Sequence, residues 1–142
     1  MSAASVRETM TAYLEALADD GDFARFFADD VAIVMMETGD VTRGRDAVRD
    51  MIVGMHSQSF GGRFVCTKLI CDEGGAAIEA QLIGSHVGEF AGIAPTGAPV
   101  TMTYSVVYEL SDGQITELRG YLPLTATVLQ LHAATEGQRV TS

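Results

Sequence analysis

The apolar positions of this chain change their period part-way along it. Over the first third they recur every three to four residues. Val6, Met10, Tyr13, Leu14 and Leu17 form one stripe, and Val48, Met51, Ile52 and Met55 form another, so each stretch predicts a helix with one buried face. "SVRE" fits a capping box at the start of the first helix, with Ser5 as N-cap and Glu8 reaching back. "DDGD" ends that helix, and "DFARFF" predicts a short second one with Phe23, Phe26 and Phe27 to one side. "VAIVMM" predicts a strand and "ETGDVTRG" a turn or short hairpin.

From residue 63 onward the period is two. Segments 63–71, 76–86, 100–110 and 114–122 predict four strands, and "DEGG" and "SDG" predict tight turns that pair their neighbours as antiparallel hairpins. "LTATVLQLHAA" predicts a short closing helix. Helices followed by a strand meander indicate an α+β fold: a curved antiparallel sheet with about three helices packed on one face. Strict alternation puts Met102, Tyr104, Val106 and Tyr108 on one face of their strand, and Ile78, Ala80, Leu82, Gly84 and His86 on one face of theirs. It groups Ile115, Glu117, Arg119 and Tyr121 on the last strand, and sends Cys66 and Cys71 to opposite faces.

Composition narrows the class. With 142 residues, 47% of them apolar, the chain predicts one domain spanning 1–142 that needs no metal or disulfide staple. Cys66 and Cys71 would sit about 17 Å apart along a strand, too far for a bridge, so both are expected reduced. A net charge of −10 argues against nucleic acid or an anionic membrane as partner. "MSAASVRETM" has no signal-type apolar core and no run reaches transmembrane length, which points to a cytoplasmic protein. His56, His86 and His132 lack ligand-type spacing, so no metal is expected. The glycines near Gly84, Gly88 and Gly92 open no helix, so no nucleotide cofactor is expected either.

Several segments resemble a known family. "YLEALADDGDFARFFADDVAIVM", "RGRDAVRDMI", "GSHVGEFAGIAPTGAPVTM" and "VVYELSDGQITELRGYL" resemble successive parts of SnoaL-like polyketide cyclases, in the superfamily of nuclear transport factor two and ketosteroid isomerase. The likeness covers about residues 5–132, and its most specific part is the third segment. It implies a cystatin-like α+β barrel: a cone-shaped sheet with the helices on its concave face, an apolar pocket inside, and a homodimer through the outer sheet face. It also implies a small hydrophobic ligand, polyketide- or terpenoid-like, with cyclase, isomerase, dehydratase or epoxide-hydrolase chemistry. A non-catalytic binding module of the same fold is the alternative, because fold alone does not fix function.

The family's usual acids do not carry over. The isomerase base position falls at Met35 and its buried acid near Val106, while "LRGYLP", where the cyclases keep an aspartate, has no carboxylate. Arg119 has no paired aspartate of the kind epoxide hydrolases use. The remaining acid/base candidates are His86, Arg119, Tyr121 and Tyr104. His86 would transfer a proton or brace the loop after it; Arg119 would hold an oxyanion or pair with Glu117 or Glu37; a tyrosine would donate to a carbonyl or anchor the core. Tyr13, Met35, Glu37, Met55, Phe90, Met102 and Tyr108 are the candidate ligand-binding residues. The thirteen-residue loop "GEFAGIAPTGAPV" carries Phe90 and Ile93, which need cover, so it should fold back as a pocket rim or as a contact with a second subunit.

Overall fold

The computed structural model describes residues 1–141, with side chains through residue 135. Helix α1 (Ala3–Ala18) is followed by a 3₁₀ turn at Phe23–Phe26, strands β1 (Phe27–Met35) and β2 (Asp40–Arg43), and helix α2 (Arg45–Val53). Strands β3 (Arg63–Cys71), β4 (Gly75–Ser85), β5 (Pro99–Ser111) and β6 (Gln114–Tyr121) then precede helix α3 (Leu124–Thr141). The α1 stripe is buried as its spacing predicts, but the cap lies one turn earlier than Ser5. Ser2 is the N-cap, and its side chain accepts from the Ser5 backbone N–H at 3.1 Å.

The six strands form one curved, open sheet in the order β2-β1-β6-β5-β4-β3. Every pairing is antiparallel except β1 with β6, which run parallel. The chain between these two strands is long enough for the crossover that parallel neighbours require. The buried residues of β4, β5 and β6 face α1 and α2, making a core that includes Tyr13, Phe27, Ile78, Leu82, Met102, Tyr108 and Leu118.

Two β-bulges change the faces that strict alternation predicts. On β6, Leu110 pairs with Ile115 but Glu109 with Glu117, so Thr116 is an extra residue. Ile115 therefore faces the core with Leu118, whereas Glu117, Arg119 and Tyr121 face outward. On β3 the register slips between Cys66 and Lys68. Cys66 then pairs with Ala80 and Cys71 with Ala76, both buried alanines, so the two cysteines share the inner face; they remain free thiols. No helix among the described residues is long and apolar enough to cross a membrane.

Candidate functional site

α2 does not stop at Val53. It widens into a π-type turn over Gly54–Ser59, closed by a bond from Phe60 N–H to Met55 C=O at 3.2 Å. Such turns admit one extra residue and change which side chains face inward. Here the turn carries Met55 and His56 to the sheet, where the imidazole stacks on Phe64 with centroids 5.9 Å apart and planes 15° from parallel.

His56 lines a chamber of about 40 Å³ between the helices and the sheet. Tyr13 from α1 and Tyr104 and Tyr108 from β5 line it too, with Ile78, Val106 and Leu118 among the apolar walls. A water needs roughly 10–15 Å³ of such space, so a water or a small oxygen-bearing group can enter the chamber. The hydroxyls of Tyr13 and Tyr108 bond to each other. Among the described residues, neither the Tyr104 hydroxyl nor the His56 ring has a hydrogen-bonding partner. Burial pushes all three phenols well above their ordinary range, so they stay neutral donors. Burial pushes the imidazole down to about 4, against a small opposing pull from Asp20, so it is neutral at physiological pH. The Cys66 thiol, close enough to raise the Tyr104 and Tyr108 phenols, is itself raised by burial.

A larger cleft of about 560 Å³ adjoins this chamber, and Met55 lines both. Its walls come from Met35 on β1, Met51 and Met55, Phe90 and Ala91 of the long loop, and Leu124 and Val128 of α3. Three flexible thioethers give it an adaptable apolar lining. Glu37 is at the rim with its carboxylate already engaged. It accepts from the backbone N–H groups of Leu124 and Thr125, each at 3.0 Å, and from the Thr125 hydroxyl. These bonds, the Thr125 hydroxyl first, hold the Glu37 carboxyl below its usual range and cap the N-terminus of α3.

The segment from Gly84 to Met102 braces this site from behind. His86 is fully buried, and its Nδ1 accepts from Thr96 N–H at 3.2 Å with the Thr96 hydroxyl 3.0 Å away. Among the described residues its buried Nε2 has no partner, and the ring packs 5.8 Å from Phe60. Val87 and Gly88 N–H groups donate to Ser59 C=O at 3.0 and 3.1 Å, and the Ser59 hydroxyl donates to Glu89 C=O at 2.8 Å. The loop is thereby stitched to the end of the π-turn. Gly88 permits the approach: a Cβ there would lie 1.9 Å from Gln58 O.

The predicted residues therefore fall into four places. Tyr13, Tyr104 and Tyr108 meet in the chamber, and Met35, Glu37, Met55 and Phe90 meet at the cleft. Met102 is buried in the core and lines neither cavity, and His86 also lines neither. Arg119 and Tyr121 are on the outer sheet face; Arg119 is held by Glu109 and Glu117, which raise its pKa. Tyr121 is 48% exposed. Sequence reasoning passed over His56. The signal was present: His56 follows Val48 and Ile52 at intervals of four, on the apolar stripe of α2.

The SnoaL-like polyketide cyclase family model matches residues 7–131. No match is found among curated proteins. Solved structures share the fold at low identity. One is a protein from Jannaschia sp. CCS1 provisionally assigned as a SnoaL-like polyketide cyclase, with 18% identity and TM-score 0.78 over 88% of this chain and 90% of that one. A Xanthomonas campestris protein provisionally assigned as a polyketide cyclase has 22% identity and TM-score 0.76 over 92% and 99%. A Streptomyces galilaeus protein provisionally assigned as a hydroxylase has 16% identity and TM-score 0.76 over 92% and 87%. With the family pattern running through nearly the whole α+β domain, this chain belongs to the SnoaL-like polyketide cyclase family.

Proposed function

We propose that this protein binds a small ring-type hydrophobic ligand, polyketide- or terpenoid-like. The ligand's apolar body lies in the methionine-lined cleft and an oxygen-bearing end reaches into the tyrosine chamber. One observation carries this reading: Met55 borders both spaces, so an apolar cleft lies beside polar groups, Tyr104 and His56, that have no hydrogen-bonding partner among the described residues. An apolar site with a few placed donors suits a ligand that is mostly hydrocarbon and carries one carbonyl or hydroxyl. The outer sheet face, where Ile70 and Tyr121 are about half exposed, belongs to the same proposal as the surface of a homodimer.

A second reading, binding without turnover, draws support from the chamber's chemistry, since no carboxylate lines it and Glu37 at the cleft rim is occupied by α3. Mass spectrometry of the protein purified without denaturation tests for a carried ligand. Saturation-transfer NMR with 2-tetralone, a fused-ring ketone, tests binding directly. Wild type should bind it, and Val128→Trp, which fills the cleft, should weaken binding at least tenfold. Equal affinity in the two proteins would sink the cleft as the site.

A further inference from the structure

We propose that His56 is the proton-transfer residue of this protein, taking a proton from the carbon beside a ligand ketone whose oxygen is held by the Tyr104 hydroxyl. The inference rests on the ligand reading above and assigns chemistry to it. His56 and Tyr104 line one chamber, and neither has a hydrogen-bonding partner among the described residues. His56 is half-buried, and the buried side-chain polar atom left without a partner among the described residues is His86 Nε2, so His56 and Tyr104 are open to the chamber itself and within reach of a ligand group that enters it. The chamber has room for a ketone oxygen. His56 lines the chamber alone, and its neighbour in sequence, Met55, lines both chamber and cleft.

The other groups fit this assignment poorly as bases. The three phenols are held neutral by burial, and a neutral phenol donates. His86 lines neither space and has its Nδ1 engaged by Thr96. The imidazole of His56 is unprotonated at neutral pH and so available to accept. In the step, the bond from the α-carbon to hydrogen breaks and the proton passes to an imidazole nitrogen. The C–H electron pair becomes the carbon–carbon double bond of an enolate. The carbonyl π pair moves to oxygen, where the Tyr104 hydroxyl donates to it. Returning the proton from the imidazolium to carbon regenerates the ketone or its isomer. No electron leaves the ligand and no cofactor takes part.

The test follows deuterium uptake at the α-carbons of 2-tetralone in heavy water by NMR, with binding measured on the same samples. Wild type and the exposed control His132→Gln should speed exchange equally. His56→Gln should bind the ketone within threefold of wild type and lose exchange by at least about a hundredfold, the lower end for general-base removal. His56→Ala should regain exchange when imidazole is added, which a merely structural role would not produce. Wild-type binding without accelerated exchange overturns the inference and leaves the ligand reading intact, as does full exchange by His56→Gln. Failure of His56→Ala to respond to imidazole also counts against it. Failure of wild type to bind the ketone overturns the ligand reading itself, and this inference with it.

Discussion

Replacing Gly88 by alanine tests how the long loop positions the site. The added Cβ would fall 1.9 Å from Gln58 O and 2.8 Å from Gln58 C, both backbone atoms that no rotamer change can move. Carbon–oxygen contacts settle at roughly 3.3–3.6 Å, so the loop and the π-turn must part by about 1.4 Å. That shift stretches the bonds from Val87 and Gly88 N–H to Ser59 C=O, now 3.0 and 3.1 Å, past bonding distance. Two lost hydrogen bonds cost about 0.5–1.5 kcal/mol each. Overpacking adds about 1–3 kcal/mol. The sum is on the order of 2–6 kcal/mol, or a melting temperature lower by roughly 8–24 °C for a domain of this size. Thermal unfolding followed by circular dichroism measures it. Gly54→Ala provides the opposite sign: Gly54 is helical with only Gln58 Oε1 nearby, at 3.8 Å, so alanine there should stabilise by about 0.5–1 kcal/mol. A Gly88→Ala protein melting within 2 °C (roughly half a kcal/mol) of wild type would refute the tight contact between loop and turn. The inward placement of His56 would then need a cause other than the loop's grip on Ser59.

Three further outcomes are expected. The His56 pKa falls from 6.5 unfolded to about 4 folded, so the unfolded chain binds more protons between those values. Stability is fully present above pH 6.5 and declines as pH drops toward 4, by on the order of 3 kcal/mol; urea titrations should show this slope, and His56→Gln should flatten it. Thr96→Val deprives the buried His86 Nδ1 of the nearby hydroxyl and leaves Ala98 N–H without its side-chain acceptor, so urea unfolding should report a loss of about 1–3 kcal/mol, and no change would contradict the bonding described. Glu37→Gln weakens the cap of α3, and amide exchange at Leu124 and Thr125 should quicken while β5 is unaffected; because the Glu37 pKa is lowered in the fold, wild type should show the same quickening as acid protonates the carboxyl.

Local pattern carried far in this protein because it reports a buried face directly. The α1 stripe, the parity of β4 and β5, and the pairing across "DEGG" and "SDG" all follow from spacing and turn chemistry, and all are present. Alternation failed at Thr67 and Thr116, where one inserted residue rotates every later side chain to the other face. That is why Arg119 and Tyr121, grouped with Ile115 by counting, stand outside, while Cys66 and Cys71 stand together inside.

The sequence by itself determined the element order, the α+β class, the family and the set of polar residues from which any site must be built. It also put apolar residues, Met35 and Val106, where the resemblance to ketosteroid isomerase would lead one to expect carboxylates. Tertiary structure alone decided which of those polar residues meet. Tyr13, His56, Tyr104 and Tyr108 lie on three separate elements, and their convergence depends on sheet curvature and on a π-turn whose widening leaves no separate mark in hydrophobic period. His86, the most conspicuous histidine in the sequence, is packed behind that turn, where Thr96 holds its Nδ1 and the loop secures Ser59. Side-chain period records which face is buried; it does not record whether burial ends at a wall or at a cavity, because that depends on backbone approach between residues far apart in the chain.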